Sequence, residues 1–123
     1  MNLQDRHTQG EIGAAISTAV VHLLAQRTGK GPTRAKTTLG ENGVFVVLED
    51  NLTRGERNLA AAGGGATVLA MRRNWQRVMQ DEMSATVEEL TGRKVTGFMS
   101  DNHLDPDLAV EVFVFERLAE RAS

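Results

Sequence analysis

The sequence predicts an α+β fold: two αββ units whose hairpins form one four-stranded antiparallel sheet packed with helices. Three observations carry that prediction. A helix-spaced apolar stripe occurs twice and ends each time in Thr-Gly followed by a base, at Thr28-Gly29-Lys30 and Thr91-Gly92-Arg93. Each stripe leads into two β-prone runs separated by turn residues. The closing runs of the two hairpins read alike, Val44-Phe45-Val46-Val47-Leu48-Glu49 and Val112-Phe113-Val114-Phe115-Glu116.

Taken in order, Thr8 followed by Glu11 is a capping box, which satisfies backbone N–H groups at a helix start. Ile12, Ile16, Val20, Leu23 and Leu24 then make one apolar stripe, so a helix is expected from about Thr8 to Thr28. Gly31-Pro32-Thr33 breaks the chain. Arg34 to Leu39 and Val44 to Glu49 are expected strands, joined by Gly40-Glu41-Asn42-Gly43. Val44, Val46 and Leu48 fall on one strand face, Phe45 and Val47 on the other. A strand apolar on both faces belongs at the centre of a sheet or beneath a second layer.

Thr53 and Glu56 make a second capping box and open a short helix through Ala62, which Gly63-Gly64-Gly65 is expected to stop. A longer helix follows from about Thr67 to Leu90, with the stripe Val68, Met71, Trp75, Met79, Met83, Val87 and Leu90. Val95 to Ser100 and Leu108 to Glu116 form the second hairpin, around a loop from Asp101 to Asp107. The domain is therefore expected over residues 8–116, between a flexible segment at 1–7 and a charged tail at 117–123.

Composition narrows the function. The chain has 123 residues, enough for one core without staples. It has no cysteine, which removes disulfides, thiolate metal sites and Cys nucleophiles together. A net charge of −2 and a single Trp without any Tyr argue against nucleic acid, which needs basic and stacking surfaces. The polar N-terminus lacks a signal-peptide core, and Ile12 to Gln26 is too short and polar to span a bilayer, so a soluble cytoplasmic protein without membrane insertion is expected.

The two hairpins differ in charge. No acidic residue occurs from Ile12 through Gly40, and no Lys or Arg from Val95 through Glu116. Such surfaces can complement one another within the domain or between subunits. Lys30, Gly31, Thr33, Arg34 and Lys36 form a basic, glycine-exposed loop able to hold a small anion; its bland counterpart is a solvated turn. The loop is not a phosphate-binding P-loop, because its spacing fails and it leaves a helix for a strand.

Asp101, Asn102, His103, Asp105 and Asp107 offer oxygen and nitrogen donors at close spacing. The same residue types suit a tight turn, and no metal or other cofactor is expected there. His103 beside Asp101 or Asp105 is the one general-base candidate, but no nucleophile accompanies it by spacing; His22 reads as a boundary residue and His7 as part of the leading segment. Gly63-Gly64-Gly65 reads as a joint between helices rather than an anion nest. Arg72, Arg73 and Arg77 read as a solvated basic ridge, and the Met71, Met79 and Met83 stripe as adaptable core or dimer seam.

Thr28-Gly29-Lys30-Gly31-Pro32, Val47-Leu48-Glu49-Asp50 and above all Phe98-Met99-Ser100-Asp101-Asn102-His103-Leu104-Asp105-Pro106-Asp107 resemble the bacterial MpsC-like family, formerly a domain of unknown function. The resemblance runs from about Gln9 to Glu116. It implies association with a cation-translocating system that generates membrane potential, and it carries over no catalytic or ligand residue. Without a spanning segment the chain would be an accessory or regulatory subunit, with a membrane protein or regulatory protein as possible partner. Apolar character on both strand faces predicts a homodimer. A small-anion or nucleotide sensor is the alternative reading, and an enzyme ranks behind both.

Overall fold

The computed structural model describes residues 3–117, with side chains from Gln9 onward. Helix α1 spans Leu3–Thr28, strands β1 and β2 span Arg34–Leu39 and Gly43–Glu49, and α2 spans Arg54–Leu59. A π-helical turn at Ala60–Gly64 leads into α3, Gly65–Thr91, followed by β3, Val95–His103, and β4, Leu108–Phe115. The α+β class and the four-stranded antiparallel sheet are as expected. The sheet order is β1-β2-β4-β3. Each hairpin places its second strand at the centre, and β2 and β4 meet antiparallel along the seam.

Three boundaries differ from expectation. Helix α1 is already helical from Leu3, so Thr8 and Glu11 lie inside it rather than at a cap. The flexible segment expected over 1–7 thus overlaps the helix from Leu3 onward, while residues 1–2 and 118–123 of the terminal segments lie outside the described residues. The three glycines bend the helical path without ending it: Gly63 has φ 94° inside the π-helical turn, and the helix resumes at Gly65. Strand β3 runs on through Asp101, Asn102 and His103, because their backbones pair with Val110, Ala109 and Leu108, leaving only 104–107 as the turn.

The Thr53 capping box forms as expected. Its hydroxyl accepts from the Glu56 N–H at 3.1 Å, and the Glu56 carboxylate accepts from the Thr53 N–H at 2.8 Å. Gly92 closes α3 in the left-handed region at φ 70°.

The core lies between the sheet and the two long helices. Ile16, Val20 and Leu24 of α1 and Met79, Met83 and Val87 of α3 pack onto Val44, Val46 and Leu48 of β2 and onto Phe113 and Phe115 of β4. Phe98 meets Phe113 with ring centroids 5.1 Å apart. Helix α1 sits over β1, where Ser17 and Thr37 share a hydroxyl–hydroxyl bond of 2.8 Å. The helices occupy one face of the sheet, and no described element covers the other.

Candidate functional site

Three places bring chemistry-bearing side chains together. The first is at the sheet end where the chain crosses from β2 to α2. Asp50 adopts φ 56°, and its carboxylate pairs with Arg57 and lies 3.5 Å from the Lys30 ammonium. Lys30 also donates to the carbonyls of Gly31, at 3.3 Å, and of Asp50. Arg57 reaches Asp107 at 3.7 Å, and Asp107 accepts from the Leu52 N–H at 3.0 Å. Burial alone would raise the Asp50 pKa; the Thr33 hydrogen bond and the charges of Lys30 and Arg57 outweigh it and hold the carboxyl below its ordinary value. Basic and acidic hairpins are thus tied within one chain through Asp50 and Arg57, two residues the charge pattern did not single out.

The second place is buried. Arg72 is 2% exposed and binds Glu56 through two nitrogens, its Nε at 2.7 Å, while donating to the Asn51 carbonyl at 2.8 Å. Burial would raise the Glu56 pKa, but Arg72 and the Thr53 N–H lower it below the ordinary value. One turn further along α3, Gln76 and Asn102 exchange amide hydrogen bonds of 3.1 and 3.0 Å. Glu111 faces the same layer at 1% exposure, and its Oε2 has no hydrogen-bond partner. Burial pushes this carboxyl up to about 8, against a hydrogen bond with Gln76 that pulls the other way.

Arg72 corrects the solvated ridge expected of Arg72, Arg73 and Arg77: only the latter two are exposed. The inward stripe of α3 is Val68, Arg72, Gln76, Met79, Met83 and Val87, and Met71 is turned outward at 38% exposure. The signal for this was present in the sequence, since 68, 72, 76, 79, 83 and 87 keep the same spacing of three and four.

The third place is the uncovered sheet face. Strand pairing sets its side chains in rows. One row reads Arg34, Glu49, Leu108, His103; the next Lys36, Val47, Val110, Asp101; the third Thr38, Phe45, Val112, Met99. Phe45, on the central strand β2, is 46% exposed and Met99, on the edge strand β3, is 57% exposed, with Val112 between them in one apolar row. The β1 edge is basic and the β3 edge carries Asp101 and His103. Arg34 lies 3.3 Å from Glu49.

The ten candidate residues therefore divide. Lys30, Gly31, Thr33 and Asp107 gather around Asp50, with Gly31 packed against Val21 and Ala25. Arg34, Lys36, Asp101 and His103 stand on the open face. Asn102 points inward to Gln76, and Asp105 is exposed in the turn. His103 donates from Nδ1 to the Pro106 carbonyl at 2.8 Å, and Asp101 accepts from the Asn102 N–H at 2.8 Å. Among the described residues, no group of three or more His, Cys, Asp or Glu is placed to hold a metal ion, and no helix is long and apolar enough to cross a membrane.

Comparison with known proteins defines the class. The family described as "Na+-translocating membrane potential-generating system (MpsC)" matches residues 8–117, and the chain belongs to that family. It is also similar to the uncharacterized protein YrhF of Bacillus subtilis (strain 168), 33% identical over 91 residues that cover 72% of this chain and 75% of that protein. No solved structure matches.

Proposed function

We propose that the chain is a non-enzymatic, cytoplasmic accessory or regulatory protein of a cation-translocating, potential-generating system, acting by protein contact. The family description supplies the system. The observation that carries the contact reading is the open sheet face, where Phe45, Val47, Val110, Val112 and Met99 form a contiguous apolar strip between charged edges. Such a patch, rimmed by polar groups, marks a protein-binding surface. The titratable groups of the chain support the same reading, since two of the shifted carboxyls, Glu56 and Glu111, are buried against the core.

The test is made in cells of the source organism, with a voltage-sensitive dye read in sodium medium. Deleting the gene should lower the potential, and the intact chain supplied from a plasmid should restore it. A Phe45→Asp variant shown to fold should fail to restore it. A deletion strain with an unchanged potential and an unchanged sodium response overturns the assignment to such a system.

Binding of a small anion at the Lys30–Lys36 loop is the second reading. The anion would compete with Asp50 for Lys30 and with Glu49 for Arg34. It remains open at Lys36, which makes no ion pair among the described residues.

A further inference from the structure

We propose that the open sheet face docks a second copy of this chain, with the two-fold axis lying along the strands, above the seam between β2 and β4. The inference rests on the reading of that face as a protein contact and specifies the partner.

The argument is one of symmetry and charge. A two-fold axis along the strands carries β1 of one copy over β3 of the other and keeps every row opposite itself. Lys36 then faces the partner's Asp101, and Asp101 faces the partner's Lys36, so one row forms two opposite-charge pairs across the interface. In the same geometry Val47 lies over the partner's Val110, and Phe45 over the partner's Val112. A two-fold axis perpendicular to the strands would instead set β1 over β1, bringing Arg34 and Lys36 near their own copies. Like charges at an interface disfavour that arrangement.

The charged groups at the edges are free for the role. Lys36 makes no ion pair among the described residues, and Asp101 retains one carboxylate oxygen beyond the bond from the Asn102 N–H. Arg34 and Glu49 neutralise each other within the chain, so they oppose no partner charge. Face-to-face sheets pack about 10 Å apart, with side chains of the two inner faces interdigitating. The central rows offer Val, Phe and Met side chains for that layer. Four strands of this length bury on the order of 1,000 Å² between two copies, the size at which specific interfaces begin.

The experiment is native mass spectrometry with light scattering at micromolar concentrations, alongside circular dichroism of each variant. The intact chain should be a dimer. Val112→Glu should be a monomer with an unchanged spectrum. Lys36→Asp and Asp101→Lys should each weaken self-association by about tenfold or more. Mixing those two variants should restore a dimer of mixed composition, as should combining both changes in one chain. A mixture that stays monomeric while the intact chain is dimeric overturns the proposed axis. An intact chain that is monomeric overturns the second copy as occupant; if Phe45→Asp still fails in cells, the contact reading of the face stands and its partner is a different protein.

Discussion

At Glu111 the alternation of β4 turns a carboxyl inward between Ala109 and Phe113. The charge pattern alone places this residue with Asp101, Asp105 and Asp107 on a solvated acidic hairpin; the strand period, read strictly, places it in the core. Arg72 was hidden in the same way, because a basic residue among Arg73 and Arg77 reads as surface until its partner Glu56 is known. Sequence shows the period of a helix or strand, but not which polar residues the period carries inside. The consequence at Glu111 is a pH dependence. Its folded pKa is about 8, above the ordinary 4.5, so the folded chain holds the extra proton between those values. The stabilising contribution is complete below pH 4.5, falls as pH rises through the window, and levels off above about 8. The loss has a limiting slope of about 1.4 kcal/mol per pH unit for one proton. Glu111→Gln removes the titration while keeping the shape. Urea unfolding should therefore show the variant gaining on the parent chain from pH 5 to pH 8. Parallel profiles would mean that Glu111 is ionised in the folded chain. Asp50 and Glu56 do not confuse the reading: their lowered pKa values give stability that is present above the unfolded pKa and is lost only in more acidic solution.

Elements were legible where side-chain period and turn chemistry agree. Both hairpins, both long helices and the Thr53 cap follow from them. The β3–β4 turn was misplaced because Asp, Asn and His favour turns locally, whereas tertiary pairing with β4 draws Asp101, Asn102 and His103 into the strand. The glycines were legible as a break in direction but not as a π-helical joint, since glycine composition does not specify the hydrogen-bond register. The joint gives a test that turns on sign. Gly63 has φ 94° with nothing within 4 Å of where a Cβ would stand, so Gly63→Ala suffers conformational strain alone and should lose about 1 kcal/mol. Gly10 also has open space around it but lies in α1 without a positive φ, so Gly10→Ala should gain up to about 1 kcal/mol. Denaturant midpoints measured for both variants check the pair. Equal shifts in one direction would show that Gly63 is not held in the left-handed region.

The whole molecule is two αββ units joined at a seam, and a repeat in the sequence could reveal the units without revealing the seam. Similar closing strands say that the units are alike; they do not say that β2 and β4 are neighbours. That neighbourhood underlies the proposed contact, because with each hairpin paired only the order β1-β2-β4-β3 sets the basic edge and the acidic edge on opposite sides of one apolar strip. At Gly43 the two strands of the seam approach closely. A Cβ there would stand 2.2 Å from the Phe113 carbonyl oxygen, a backbone atom that cannot swing aside. Gly43 pairs with Val114, so relief requires β2 and β4 to separate at that end. Gly43→Ala should therefore destabilise the fold by about 2 kcal/mol or more. Amide hydrogen exchange should show the loss first at the β2–β4 pairs, with the β1–β2 pairs protected longer. The separation would also shift Phe45 against Val112 and Val47 against Val110, so self-association should weaken together with the seam. A variant as stable as the parent chain, with β2–β4 amides equally protected, would show that the two strands do not approach as described, and the facing rows that depend on their register would be lost with them.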